Sequence, residues 1–179
     1  MKNNVIYADF GSRVRPKSSS AFTEAYEHYL EGFRLDEDES TLDRAEAAYR
    51  RAIELDPSLT GAITNLGSLL YGQGRMAEAK EWFIRAIRID PRKSRAYYNL
   101  GLLLYAEADF AGAELNFKQA IHNEPDFADA HFNVGIILCD LRRDAEACPY
   151  FETYLKLDPD SEWADKARYY LRRGYACLP

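Results

Sequence analysis

The chain has 179 residues, of which 47% are hydrophobic and 29% charged, a composition typical of a globular protein large enough to bury a core. Its net charge of −6 argues against a general binder of nucleic acid or of anionic membranes. Its three cysteines are scattered, no apolar run is long enough for a membrane span, and no signal-peptide core is present, so we expect a reduced, cytoplasmic protein.

Residues 1–20 form a basic tail that matches none of the patterns found further along the chain. We predict a solvated, partly disordered terminus. A second interpretation is left open by the apolar residues within 5–10, with which the tail could dock on its own or another molecule's repeats. An arm that contacts RNA or DNA is a weaker alternative, because its four basic side chains make few phosphate contacts.

Residues 21–59 are predicted to form a divergent pair of helices. The first helix, at about 21–35, has an apolar face with helical spacing. The second carries Ala45, Tyr49, Ala52 and Pro57, which repeat the second-helix pattern of the later repeats one period upstream. An acidic link at 36–40 separates the two helices and leaves the register of the first one open.

Three consecutive 34-residue repeats follow, at 60–93, 94–127 and 128–161. Apolar and small residues fall at helical intervals on both sides of a turn, so each repeat is predicted to be a pair of helices. The aligned positions are Asn65, Asn99 and Asn133; Gly67, Gly101 and Gly135; Ala79, Ala113 and Ala147; Phe83, Phe117 and Phe151; and Pro91, Pro125 and Pro159.

The C-terminal segment 162–179 is predicted to be a capping helix and tail. The helix runs from about 162 to 173 and has Trp163 and Tyr170 on its apolar face. A repeat array leaves an apolar surface bare at its last repeat, and an amphipathic helix can cover it. Tyr154 stands where the other repeats have Ala, and we expect its bulk to fit against this cap.

The segments Tyr97–Gly101 and Phe117–Pro125 closely resemble the consensus of the tetratricopeptide repeat (TPR) family. The resemblance implies an all-α fold, a right-handed α-α superhelix of about four TPR helical hairpins within 21–161, plus a C-terminal capping helix. It also implies that the first helix of each hairpin lines a concave groove, and that the protein is an adaptor or scaffold.

The sequence lacks the spacings that catalysis, metals and phosphates require. No His-x-x-x-His pair, Cys-x-x-Cys pair or glycine-rich phosphate loop occurs, so we expect no enzyme, no metal and no cofactor. His131 takes a position that is Tyr97 and Ile63 in the other repeats, which predicts packing. Cys139 and Cys148 are predicted to be small buried hydrophobic side chains.

By resemblance, the partner-binding residues lie on the first helix of each repeat. They are Thr64, Asn65, Ser68 and Tyr71; Arg95, Tyr98, Asn99, Leu102 and Tyr105; and Asp129, Phe132, Asn133, Ile136 and Cys139. We expect the aromatic and aliphatic members to be exposed and to supply affinity, while the asparagines contact the backbone of the ligand. The alternative is that both groups pack against neighbouring helices.

These residues predict a protein partner, either a peptide or a helix with an apolar anchor. A chaperone's acidic C-terminal tail is disfavoured, because Thr64, Ser68 and Asp129 stand where the family uses basic or amide groups. Two other functions stay open: a small cytoplasmic secretion-type chaperone, and a regulatory subunit whose basic arm contacts nucleic acid. Self-association through the N-terminal tail or the groove is a further alternative.

Overall fold

The computed structural model describes residues 20–176, and residues 1–19 of the predicted basic tail lie outside that range. Within it, every regular element is a helix. The α-helices are α1 (Ser20–Leu35), α2 (Leu42–Leu55), α3 (Thr60–Gly72), α4 (Met76–Ile89), α5 (Ser94–Ala106), α6 (Phe110–Asn123), α7 (Ala128–Asp140), α8 (Asp144–Leu157) and α9 (Ala164–Ala176). The predicted all-α class is confirmed. None of the described helices is both long and apolar enough to span a membrane.

The chain divides into two compact units, Met1–Asn99 and Leu100–Pro179, with the boundary inside α5. Unit 1 contains the hairpins α1/α2 and α3/α4 and the first part of α5. Unit 2 contains the rest of α5 with α6, the hairpin α7/α8, and α9, which packs on α8.

Each hairpin is closed by a glycine of its first helix lying against an aromatic ring of its second. The pairs are Gly32 with Tyr49, Gly67 with Phe83, Gly101 with Phe117, and Gly135 with Phe151. A Cβ added at any of these glycines would lie 2.6 to 2.8 Å from the ring, closer than side chains pack. The missing side chain therefore allows the two helices to approach and the ring to fill the space between them.

The Gly32–Tyr49 pair settles the register of α1, which the sequence leaves open. Gly32 precedes its ring by one residue more than Gly67 precedes Phe83. The extra length lies in the acidic link, where a 3₁₀ turn at Glu39–Thr41 is capped by Asp38, whose carboxylate accepts from the Ser40 amide. The divergent hairpin therefore keeps the helix contact of the other repeats and differs in its connection.

The tight turns inside the other hairpins share a residue with left-handed backbone. Gly74 has φ 77°, and the residues one and two repeats later, Ala108 and Arg142, have φ 61° and 60°. Glycine adopts this conformation without steric cost, whereas a side chain destabilises it. The same turn thus recurs in both units, but only unit 1 has glycine, the residue best suited to it.

Each unit also contains a mostly buried glutamate that holds two cations. In unit 1, Glu46 accepts from Arg75 at 2.6 Å and from Arg50 at 2.8 Å. Burial raises the pKa of Glu46, but the hydrogen bonds from Arg75 and Arg50 outweigh it and hold the pKa below its ordinary value. These ion pairs fasten α2 to the turn before α4.

Unit 2 repeats the arrangement two repeats later. Glu114 accepts from Arg143 at 2.8 Å and from Lys118 on its own helix. Here too, burial raises the pKa of the carboxylate, and Lys118 and Arg143 together lower it further than burial raises it. Glu114 therefore fastens α6 to the turn before α8.

Candidate partner-binding faces

The polar residues predicted in unit 1 are bonded to one another along α3 and α5. Ser68 Oγ donates to the Thr64 carbonyl at 3.1 Å and accepts from Asn99 Nδ2 at 2.8 Å. Thr64 Oγ1 donates to the Thr60 carbonyl one turn earlier, at 2.8 Å. Ser68 therefore connects α3 to α5 within this unit.

The two asparagines of unit 1 are buried. Asn65 Nδ2 donates to the Tyr49 hydroxyl at 3.4 Å, which joins α3 to the preceding hairpin. Asn99 Oδ1 is covered and has no hydrogen-bond donor in the part of the chain that the structure describes. Both amides thus make contacts between helices, and their role in setting the register of a peptide stays a prediction.

The exposure expected of the aromatic residues is wrong for Tyr98. This side chain is only 4% exposed, whereas its neighbours on the predicted list, Tyr71 on α3 and Arg95 on α5, are half-buried. Burial raises the pKa of the Tyr71 phenol, which stays neutral at physiological pH. In unit 1, Ser68, Tyr71 and Arg95 are the members of the predicted set that stay partly open to solvent.

In unit 2 the expected exposure is wrong for Phe132, which is 8% exposed. Its ring centre lies 5.0 Å from that of Tyr154 and 5.8 Å from that of Trp163, just before α9. Lys166 of α9 adds a cation 5.9 Å from the ring. Phe132 is buried because the C-terminal segment covers it, and its alignment with Tyr98 and Thr64 gives no sign of this.

Tyr154 fills the space between Phe132 and the turn that leads to α9. It is fully buried, and its hydroxyl shares a hydrogen bond with Ser161. The Ser161 hydroxyl also donates to the Asp158 carbonyl, so Ser161 stabilises the turn before the last helix. Helix α9 begins at Ala164, slightly later than predicted. The bulk of Tyr154 thus fits the segment that precedes the cap.

The remaining first-helix residues predicted in unit 2 are partly accessible, except Cys139, which is buried. Leu102, Asp129, Asn133 and Ile136 are half-buried. Tyr105 is 36% exposed and its hydroxyl donates to Asp140 at 2.7 Å. Burial, helped by Asp140, raises the pKa of Tyr105 to about 12. Unit 2 therefore presents a surface that is more aliphatic than that of unit 1.

The residues considered for chemistry are used in packing. His131 is buried, with Nε2 2.9 Å from the Pro125 carbonyl and its ring against Tyr150, as the repeat pattern predicts. Burial raises the pKa of the Cys139 thiol to about 12, so no thiolate forms there at neutral pH. Within the described range, no group of three His, Cys, Asp or Glu side chains is placed to hold a metal ion.

Two features of these surfaces were not predicted. The first is the cover over Phe132, although Trp163 was already assigned to the apolar face of the cap. The second is a half-exposed Trp82 on the second helix of its hairpin. The sequence could have indicated that this position is partly exposed, because the next two repeats have residues with polar groups there, Asn116 and Tyr150.

Comparison with known proteins identifies the family. Three tetratricopeptide repeat models match residues 41–59, 67–107 and 98–162, which together make up more than half of the chain. The chain belongs to the tetratricopeptide repeat family. The resemblance read from the sequence is therefore confirmed.

Solved TPR structures share the fold of this TPR protein. YrrB, a TPR protein with an unusual peptide-binding site, is 26% identical, with a TM-score of 0.68 over 87% of this chain and 82% of YrrB. PilF of Pseudomonas aeruginosa is 20% identical, with a TM-score of 0.73 over 87% of this chain and 78% of PilF. The first TPR domain of Spaghetti (RPAP3), bound to the HSP90 peptide SRMEEVD, is 19% identical, with a TM-score of 0.63 over 67% of this chain and 94% of that domain. No curated protein matches the sequence.

Proposed function

We propose that this TPR protein is a non-enzymatic interaction module of the cytoplasm, which binds a peptide or helix of a partner protein through the first helices of its repeats. Membership of the TPR family supports a protein-interaction role. The peptide-binding site of YrrB and the peptide bound to the RPAP3 domain support a peptide ligand in particular.

The observation that carries the proposal is the set of first-helix side chains that stay partly accessible. In unit 1 these are polar or amphipathic, namely Ser68, Tyr71 and Arg95. In unit 2, Leu102 and Ile136 offer aliphatic surface. Accessible apolar side chains supply an apolar anchor for a peptide, and accessible polar ones supply hydrogen bonds to its backbone.

Peptide display on the purified chain tests the proposal, with the affinity of selected peptides measured by fluorescence polarisation. Leu102→Glu and Ile136→Glu are expected to weaken binding at least tenfold, because a charge replaces an apolar contact. Tyr98 and Phe132 are unsuitable for this test, because truncating a buried ring disturbs the fold.

Leu115→Glu is the matched control. Leu115 is 69% exposed and lies on α6, a second helix, so the same apolar-to-charged change there is expected to leave affinity unchanged. Equal affinity for wild type and for both first-helix variants would contradict the proposal, as would a display experiment that selects no peptide.

A further inference from the structure

A tryptophan on the second-helix side of unit 1 lies beneath two guanidinium groups. The Cζ atoms of Arg50 on α2 and of Arg85 on α4 lie 5.7 Å and 5.0 Å from the centre of the Trp82 ring. With Ile53 and Glu54 of α2, these residues line an open pocket of about 290 Å³. We name it the Trp82 pocket; none of its residues belongs to the first-helix set.

The charges around the Trp82 pocket leave one cation available. Arg50 is neutralised by Glu46 at 2.8 Å and approached by Glu78 at 3.8 Å. Glu54 is paired with Arg51 at 3.2 Å. Arg85, in contrast, has no carboxylate within ion-pair distance among residues 20–176.

Arg85 lies over the indole, with its Cζ atom 5.0 Å from the ring centre, a position suited to binding an anion. A guanidinium over an aromatic face keeps its N–H groups free at the edge of its plane, where they can donate two parallel hydrogen bonds to a carboxylate. The half-exposed Trp82 ring and the Ile53 side chain supply apolar surface beside this donor edge. The Trp82 pocket thus combines one anion-binding group with one apolar wall.

The shared packing of the hairpins does not require this arrangement. At the positions of Trp82 and Arg85, the next repeat has Asn116 and Gln119. The repeat after that has a Tyr and a Thr. Hairpins of the same fold therefore form without the Trp–Arg pair, so the fold itself does not require it.

We propose that the Trp82 pocket is a second binding site, which takes a carboxylate and an adjacent apolar side chain of a partner peptide. Arg85 binds the carboxylate, and Trp82 with Ile53 contacts the apolar group. Because this site lies on α2 and α4, the protein can hold one partner here and another on its first helices. It would then connect two proteins, which goes beyond the function proposed above.

The surrounding charge favours an acidic peptide over a nucleic acid as the ligand. A strand of nucleic acid brings many phosphates, and its affinity depends on several cations. Here the pocket has a single unpaired cation, Arg85, and the carboxylate of Glu54 in its lining, and Glu46 and Glu78 lie at Arg50, so an extended polyanion is repelled. A single carboxylate next to an apolar group meets one cation and one apolar wall, and so matches the site.

The smallest probe with both groups is N-acetyl-phenylalanine, and N-acetyl-phenylalanine amide is its matched control without the carboxylate. In ¹H–¹⁵N spectra of the full chain, the indole N–H of Trp82 is expected to shift saturably with the acid, with a Kd on the order of 1 mM for a ligand of this size. The amide is expected to cause no saturable shift. The indole of Trp163 in unit 2 is the internal reference and is expected to stay unchanged.

Arg85→Gln is expected to weaken binding of the acid at least tenfold, while Arg88→Gln, an exposed change on the same helix, leaves it unchanged. Far-UV circular dichroism verifies that both variants fold. Equal binding of acid and amide, wild-type binding by Arg85→Gln, or a tighter Trp82 response to a ten-nucleotide single-stranded DNA would overturn the proposal. Peptides selected on the first helices are expected to bind Arg85→Gln normally, so failure at one site is distinguishable from failure at the other.

Discussion

The two compact units bury the same repeat position with different side chains and different contacts. In unit 1, Thr64 is buried, and its hydroxyl donates to a backbone carbonyl of its own helix. In unit 2, two repeats later, Phe132 is enclosed by Tyr154, Trp163 and Lys166. The position is buried in both units, so the hairpin pattern determines where the residue lies on its helix, whereas the neighbouring segment determines how large a side chain is enclosed there.

The largest expected effect tests that difference directly. Phe132→Ala is expected to lower the free energy of unfolding by about 3 kcal/mol, because it empties a buried aromatic cluster. Thr64→Ala removes one hydroxyl bonded to its own helix and is expected to cost less than about 1 kcal/mol. Urea unfolding followed by circular dichroism measures both, and equal losses would show that the position has one role in both units.

A glycine substitution tests whether the divergent hairpin of unit 1 is closed like the others. Gly32→Ala is expected to cost about 2 kcal/mol, because its Cβ would lie 2.7 Å from the Tyr49 ring. Gly72→Ala is the control, since a Cβ there meets nothing within 4 Å. A Gly32→Ala variant as stable as Gly72→Ala in urea would mean that the register assigned to α1 is wrong.

The paired glutamates are expected to be equivalent in the two units. Glu46→Gln and Glu114→Gln should each cost about 1.5 kcal/mol at pH 7, because each removes the anion from two cations. Since both pKa values lie below the ordinary range, this stability is present at neutral pH and is lost as the pH falls below about 4. Chemical unfolding at pH 7 and pH 3 measures the effect.

Glu54→Gln, an exposed change on α2, is the control for the paired glutamates and is expected to be neutral at both pH values. A loss of stability in only one of the two glutamate variants would show that the ion pairs of the two units contribute unequally to stability.

The acidic link of unit 1 contains a carboxyl group with the opposite pH dependence. Burial raises the pKa of Asp36 from 3.8 to about 6, although the Tyr49 hydroxyl donates to it and works against the rise. The folded state then binds more protons than the unfolded state between these values, so stability falls as the pH rises from 3.8 to about 6.

Asp36→Asn keeps an acceptor for Tyr49 and is expected to stabilise unit 1 by about 1 kcal/mol at pH 7, since partial exposure screens the charge, and by nothing at pH 3.5. Asp38→Asn is the matched control. Hydrogen bonding to Ser40 lowers the pKa of Asp38, so that change is expected to destabilise at pH 7. Thermal melting across pH 3.5 to 7 checks both signs, and a pH-independent Asp36→Asn would contradict them.

The smallest expected effect concerns the left-handed turn residues. Ala108→Gly and Arg142→Gly in unit 2 are expected to stabilise by about 0.5 kcal/mol each, because glycine relieves the positive φ and costs some chain entropy. Gly74→Ala in unit 1 is expected to destabilise by a similar amount. Melting temperatures that move in the same direction for all three variants would be inconsistent with one shared turn.

The helices and their pairing were predictable because they depend on local order. Helical spacing and the glycines opposite aromatic rings lie within one hairpin, and the 34-residue period repeats that hairpin along the chain. The exposure of the first-helix residues was not predictable in the same way. Phe132 and Tyr98 look like exposed anchors on a helical projection, yet both are buried, and Phe132 is covered by Tyr154 and Trp163 from later in the chain.

The sequence by itself determined the repeat length, the all-α class and the family, since each follows from residue types at regular spacing. Only the tertiary structure decided that Gly32 closes the first hairpin and that the C-terminal segment covers Phe132. It also brought Trp82 together with Arg50 and Arg85. The physical reason is that periodicity specifies the direction of a side chain from its own helix, whereas burial and charge pairing depend on what packs against that helix.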